Sequence, residues 1–375
     1  DFAKEYFYEL KIGRCSGCQM VQLGEIVDPP KLFHKNYAFF SSTSEGMKKH
    51  FAQLAETVEK KYLRGKGPFV IEIGSNDGIT LQHFAKRNIK HLGIEPSENV
   101  AAVAVAKGIN TINKFFDKDL AEKILKKYGQ ADAILGANVI CHIPVLNSVV
   151  SGIKLLLKPK GVFIFEEPYI GDILEKTSYD QIYDEHVFYF SAMSINNLAT
   201  RHGLELINVE CQNVHGGELR YTLARKGAYS KLASVTKQLS KEKHQGLDQN
   251  YPYFQFHDNI QKIKKDLIDL LFELKKDKKR VVGYAATSKS TTIINYSGIT
   301  PNLIEYISDT TPIKQGKYSP GVHIPIKPYE DFKNNYPDFV LLFDWNHAKE
   351  IFQKEKEFKK FGGKFILYVP KIHVI

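Results

Sequence analysis

An α/β fold built on parallel sheets is predicted, and three features of the chain predict it. Short apolar runs alternate with longer amphipathic stretches from residue 69 to residue 166, the order in which strands and crossover helices build a doubly wound sheet. The run Val70-Ile71-Glu72-Ile73 ends in the glycine-bracketed turn Gly74-Ser75-Asn76-Asp77-Gly78, and residues 79–85 continue as a helix. A second run of this kind, residues 280–284 followed by Ala285-Ala286-Thr287-Ser288-Lys289, implies a second α/β unit.

The elements follow in order. Residues 1 to about 50 are irregular and strand-poor, and hold Cys15-Ser16-Gly17-Cys18 and Ser41-Ser42-Thr43-Ser44. From His50 to about Arg64 the residues Phe51, Leu54, Val58 and Tyr62 recur at helical spacing. Lys66-Gly67-Pro68 breaks that helix. Strands are expected at 69–73, 91–94, 131–137 and 161–166, then a helix at 187–203. Late strands at 204–209 and 219–224 flank the turn His215-Gly216-Gly217. Residues 229–279 read as Lys-rich amphipathic helix, interrupted near 246–252. Further strands are expected at 303–308, 339–343 and 364–368. The domains expected are 1–50, 51–228 and 229–375.

Hydrophobic content of 43% and charge of 25% are those of an ordinary globular protein. No apolar run approaches the length of a membrane span, and no secretory signal is seen. Four cysteines do not make a disulfide scaffold. Cys141 and Cys211 sit alone in apolar surroundings and read as buried thiols, so a cytoplasmic protein is expected. The net charge of +10 suits an anionic substrate and would also suit nucleic acid. However, the lysines are spread over helices, as in Lys262-Ile263-Lys264-Lys265, without interleaved aromatics. Neither nucleic acid nor membrane is therefore expected as a partner.

The turn after the first strand is G-x-x-x-G. The dinucleotide fingerprint would need glycine where Asn76 stands. An acid at Asp77 would repel a pyrophosphate but suits S-adenosylmethionine, whose sulfonium and ammonium are cationic. A second short strand ends in Glu95-Pro96, and a carboxylate there can accept both ribose hydroxyls. Glu72, Gly74, Asn76, Asp77, Gly78, Glu95 and Pro96 are the cofactor-binding residues this reading expects.

Three blocks carry a resemblance that spans nearly the whole chain. The first is Cys15-x-x-Cys18 with Phe39-Phe40-Ser41-Ser42-Thr43-Ser44. The second is Tyr183-Asp184-Glu185-His186-Val187-Phe188-Tyr189-Phe190-Ser191. The third is Gly283-Tyr284-Ala285-Ala286-x-x-Lys289 with Asn295-Tyr296-Ser297-Gly298-Ile299 and Asp309-Thr310-Thr311-Pro312. With these, the chain resembles the C-methyltransferases that act on nucleotide-linked keto-deoxysugars. The resemblance implies a Rossmann-like S-adenosylmethionine methyltransferase core, a second C-terminal α/β domain that helps hold the nucleotide, and a short N-terminal zinc-ribbon-like segment. The protein would be a monomer or homodimer.

Carbon attacks a methyl group only as a carbanion beside a ketone, so the site needs a base and a group to hold the enolate oxygen. His186 titrates near neutrality and is the leading base. Tyr183 is the alternative base or the donor to the oxygen, and Glu185 would orient the histidine or hold a sugar hydroxyl. By resemblance Asn138 touches the cofactor. Substrate contacts are expected at His142, Glu167, Tyr169, His215, Lys289 and Asn295, with Lys289 pairing a diphosphate.

Two departures stand out. The family's zinc site uses four cysteines, and Cys15 and Cys18 are two of them, so zinc is in question. The family's His-Gly-Gly-Ser turn reads His215-Gly216-Gly217-Glu218 here. The alternatives to C-methylation are methylation of a sugar oxygen and a non-catalytic nucleotide- or nucleic-acid-binding role.

Overall fold

The computed structural model describes residues 2–375, so the first residue of the expected 1–50 module lies outside it. Strands β1 (Ile12–Arg14) and β2 (Val21–Leu23) form a hairpin. Next come β3 (Phe69–Ile73), β4 (Lys90–Ile94), β5 (Thr111–Ile112), β6 (Ala131–Ala137) and β7 (Leu157–Pro168), separated by helices or turns. β8 (Phe188–Tyr189), β9 (Leu204–Gln212) and β10 (Glu218–Arg225) complete the first half. The second half holds β11 (Val281–Tyr284), β12 (Ile307–Asp309), β13 (Ile326–Pro328), β14 (Phe339–Leu342), β15 (Lys364–Leu367) and β16 (His373–Val374).

The first large sheet has the order β5-β4-β3-β6-β7-β10-β9. Strands β5 to β7 are parallel, and β10 runs antiparallel to both β7 and β9. This is the Rossmann-like methyltransferase arrangement. The second sheet, β13-β12-β11-β14-β15-β16, is parallel except at β16. In each sheet the strand order reverses beside the first strand laid down, at β3 and at β11. A crevice opens outside the carboxyl ends at such a point.

The helix Glu45–Tyr62 begins where the Ser44 hydroxyl accepts from Met47 N. That is a turn earlier than the apolar spacing alone predicts. It buries Met47, Phe51, Leu54 and Val58 against Val70, Ala133 and Leu135. Each large side chain sealed there contributes about 2 kcal/mol of apolar transfer. Helices Lys118–Tyr128 and Leu146–Leu156 cover the other face with Leu120, Ile124, Val149 and Ile153.

The helix expected at 187–203 is a strand followed by a shorter helix. Val21 pairs with Tyr189 and Gln22 with Phe188, so the β-branched and aromatic run Val187–Phe190 finds a strand partner far away in sequence. The helix starts only at Ala192, behind a Ser191/Ser194 capping box. The strand expected at 303–308 shrinks to Ile307–Asp309, because Leu303 and Ile304 turn inward before it. Strands β1, β2, β5, β13 and β16 are two or three residues long, too short to show a period of two. Helices Ala233–His244 and Tyr251–Lys276 break at Gly246, where φ is 70°. No helix among the described residues is long and apolar enough to cross a membrane.

Candidate active site

A cavity of about 1670 Å³ lies between the carboxyl ends of the two sheets. Three walls meet there, and each is built by a strand–turn–helix or a packed loop.

The first wall is the turn after β3. Gly74 has φ 65°, and a Cβ there would lie 2.4 Å from a Val139 methyl; only glycine fits. The Glu95 carboxylate accepts from Asn76 N at 3.0 Å and Ser97 N at 2.8 Å. Burial raises its pKa. Each of its oxygens keeps a lone pair for a ligand hydroxyl. Segment 37–44 closes over this turn. Ser41 N donates to Asn76 Oδ1 at 2.9 Å, Asn76 Nδ2 donates to Phe39 O at 3.3 Å, and Asn99 Nδ2 donates to Tyr37 O at 2.8 Å. Gly74, Asn76, Glu95, Pro96 and Asn138 all line the cavity. A tight backbone cradle, an acid with free lone pairs and apolar neighbours such as Phe116 and Val139 fit an adenosine-bearing cofactor.

Three expected cofactor residues lie behind that wall instead. Asp77 is buried; its Oδ2 accepts from Ser42 Oγ and pairs with Lys107 Nζ at 3.1 Å, while its Oδ1 has no protein partner. Glu72 is sealed beneath the turn, and burial pushes its carboxyl up to about 8. It is uncharged at neutral pH. Gly78 packs against Ile109.

The second wall is the loop Tyr183–His186. Its ends are pinned: Thr292 Oγ1 donates to Ile182 O before it, and after it Val187 N donates to Cys141 O and Leu23 N to Val187 O, each at 2.9 Å. The His186 Nδ1–H donates to Gln181 O at 3.0 Å, since a carbonyl can only accept. Its Nε2 is therefore the acceptor for the Tyr183 hydroxyl at 2.7 Å. Burial, then the neighbouring His142, holds His186 well below the usual histidine range. Burial, then Glu185, pushes Tyr183 well up. Both are neutral at rest. His142 stacks on His186 with centroids 5.2 Å apart, and on Phe33 at 5.4 Å. Burial lowers His142 to about 4, and its Nε2 has no protein partner. Glu185 is raised to about 7 by burial and by Asp184, and it accepts from Tyr37 OH at 3.4 Å.

The third wall belongs to the second sheet. Thr287 and Ser290 form a capping box at the start of helix Ser288–Ser297. The Asp309 carboxylate accepts from Ala286 N and Thr311 N, both at 2.7 Å. Lys314 Nζ donates to Ala286 O at 2.7 Å, and Lys289 Nζ donates to Asn346 Oδ1 at 2.6 Å. Lys289, Lys314 and His215 line the cavity. Burial, then Lys289, lowers His215 to about 3, so it adds no positive charge there.

The remaining expected site residues are elsewhere. Glu167 is buried and accepts from Val139 N and Ile140 N, at 3.2 and 2.7 Å, so it shapes the loop that carries His142. Tyr169 is buried and donates to Gln245. Asn295 donates to Thr291 O and Pro320 O. Glu218 is 2% exposed and lies behind the cavity wall beside Asn138. Cys211 is exposed and not buried, because it falls near the end of an edge strand. Cys15 is exposed and Cys18 half-buried. Among the described residues no third metal-ligating group joins them, and two thiolates do not complete a zinc site.

Sequence reasoning did not assign Phe33 and Tyr37, which reach the site from the N-terminal segment, nor Gln181 and Trp345. The aromatic run between Phe33 and Phe40 and the single tryptophan were the signals available.

Comparison with known proteins adds the following. A family model described as the C-methyltransferase C-terminal domain matches residues 213–370, and a methyltransferase domain model matches residues 45–209. The chain is 32% identical over 376 residues to the C-methyltransferase NovU of Streptomyces niveus, covering 100% of this chain and 89% of that protein. Similar solved structures include magnesium protoporphyrin IX methyltransferase from Synechocystis with bound SAM. It shares 13% identity at a TM-score of 0.37, over 48% of this chain and 80% of that one. A SAM-dependent methyltransferase from Anabaena variabilis shares 16% identity at a TM-score of 0.36, over 46% and 84%.

Proposed function

The chain belongs to the C-methyltransferase family, and from that premise we propose that it methylates a carbon beside the ketone of a nucleotide-linked keto-deoxysugar, with S-adenosylmethionine as donor. The observation that carries this reading is the pair of half-buried Tyr183 and buried His186, joined at 2.7 Å at the edge of a cavity with an acidic cradle on one side and lysines on the other.

Gly74, Asn76, Glu95 and Asn138 would hold the cofactor. Bound there, it supplies an electrophilic methyl group. Lys289 and Lys314 hold the diphosphate of the sugar nucleotide as point charges. Both ring nitrogens of His186 are engaged, Nδ1 by Gln181 and Nε2 by Tyr183. The atom left to meet a substrate C–H is therefore the Tyr183 oxygen, with His186 Nε2 taking the phenol's proton as the α-proton arrives. This refines the expectation that His186 itself is the base. The electron pair left on carbon is shared with the ketone oxygen. His142, neutral and on the cavity lining, is the donor to that oxygen.

The test is deuterium uptake. The protein is incubated in D2O, without donor, with a panel of nucleotide-linked 3-keto and 4-keto deoxysugars, and mass spectrometry follows exchange. The expected result is exchange by the unaltered protein that Tyr183→Phe abolishes and His186→Ala greatly slows. Donor binding with no exchange on any sugar would contradict C-methylation and bring oxygen methylation forward.

A further inference from the structure

The turn that precedes the base pair is anchored in the second α/β unit. Asp180 is fully buried. Its Oδ2 accepts from Trp345 Nε1 at 2.6 Å and from Tyr368 OH at 2.7 Å. Thr292, on the helix that carries Lys289, donates to Ile182 O at 2.9 Å. The residue between, Gln181, offers the carbonyl that fixes the His186 tautomer. At the other end, Lys289 Nζ lies 5.4 Å from the Trp345 ring and bonds the next residue, Asn346. The packing leaves no slack. A Cβ on Gly216 would sit 2.7 Å from the Trp345 ring and 3.1 Å from the Gln181 amide.

We propose that Asp180 is a positioning residue. It locks the carbonyl of Gln181 to Trp345, so that occupancy of the Lys289 cradle by a diphosphate sets the orientation of the Tyr183–His186 pair. Proton abstraction is thereby favoured only when the far end of the substrate is seated. This rests on the reading of that pair as the proton acceptor.

A buried carboxylate that accepts two hydrogen bonds is strongly oriented. Exchanging it for an amide weakens the bonds from the indole N–H and the Tyr368 hydroxyl and loosens the turn, while no substrate contact is lost. A misplacement of the base by a fraction of an ångström lowers turnover and not binding.

The experiment uses the full chain and the deuterium-exchange assay, with the keto-deoxysugar that the unaltered protein exchanges fastest. Asp180→Asn, Trp345→Phe and the double variant are compared. Asp180→Asn and Trp345→Phe should each lower exchange turnover by about tenfold to a hundredfold, with KM held within about twofold. The double variant should lose no more than the worse single one. Trp345 is the single tryptophan. Its emission should shift on addition of UDP or dTDP in the unaltered protein, and that shift should be lost in Asp180→Asn. If Asp180→Asn does not fold, Trp345→Phe and Tyr368→Phe carry the same comparison.

Unaltered turnover in Asp180→Asn, or losses that multiply in the double variant, overturns the inference. If Tyr183→Phe abolishes exchange while Asp180→Asn does not slow it, the positioning role alone falls. If the unaltered protein exchanges no sugar while still binding the donor, the reading beneath it falls as well.

Discussion

The turns after β3 and after β11 are built alike and charged differently. In each, the first strand is followed by a residue of positive φ, Gly74 at 65° and Ala285 at 73°. In each, the neighbouring strand is followed by or ends in an acid that accepts two backbone N–H groups, one from the opposite turn and one from two residues further on. Glu95 takes Asn76 N and Ser97 N, and Asp309 takes Ala286 N and Thr311 N. The difference lies in the cations. Lys314 and Lys289 stand in the second cradle, whereas near the first Lys107 is spent on Asp77 behind the wall and Lys114 is the lysine left on the cavity lining. One backbone device thus gives a cradle suited to a cationic, hydroxyl-bearing ligand and one suited to a diphosphate. The backbone sets the shape, and a few side chains set the charge.

Separate cradles must fail separately. The largest effect is expected from Gly74→Ala. The new Cβ meets Val139 at 2.4 Å in a left-handed backbone. It should cost about 1–3 kcal/mol of stability and at least about tenfold in donor affinity. Affinity for UDP or dTDP should persist, as titration calorimetry would read. Ala285 already carries its Cβ at φ 73°, so Ala285→Gly should be mild by comparison. Equal losses of both ligands in Gly74→Ala would merge the two cradles into one.

Next in size is Lys289→Met. Nucleoside diphosphate affinity should fall by about tenfold, and the fall should shrink as salt rises. S-adenosylhomocysteine affinity should not change. A parallel loss of the latter would show that Lys289 serves the first cradle too.

The smallest effect is on pH dependence. Glu72, Glu167 and Glu185 are held up to about 8, about 7 and about 7 by burial, from an ordinary value of 4.5. Above pH 6.5 the folded chain therefore holds protons that the unfolded chain has released. The stability they contribute is complete below the unfolded value and is lost as pH rises through 7 to 8. His142 and His215, lowered to about 4 and about 3, act in the opposite sense but only below their ordinary 6.5. Stability should thus fall from pH 6.5 to 8, by at most about 1.4 kcal/mol per pH unit per group, and the melting temperature should fall with it. Glu72→Gln should make that fall shallower. A flat profile would mean that these carboxyls are ionised in the fold.

The sheet cores were the legible part. Residues 69–73 and 131–137 alternate cleanly with helices, and β3 and β6 occupy those residues. The break at Gly246 was legible because glycine there turns the chain. Strand β8 was not, since its partner β2 lies in a segment with no period of its own. At the site, Tyr183, Glu185 and His186 were grouped because they are neighbours in the chain, and all three line one cavity. Which of them faces outward could not be read there. That depends on Gln181 O capturing Nδ1, a contact set by the turn at Asp180 and its tie to Trp345. The pairing of Asp77 with Lys107 was hidden for the same reason, because Lys107 is a tertiary neighbour.

The most direct test is a crystal structure of the protein with S-adenosylhomocysteine and dTDP or UDP together. The account predicts adenosine on Gly74, Asn76 and Glu95, with the diphosphate within hydrogen-bond reach of Lys289 Nζ. The cofactor sulfur should face the Tyr183 hydroxyl across the cavity. A diphosphate on the Gly74 turn, or a sulfur pointing away from Tyr183, would contradict it.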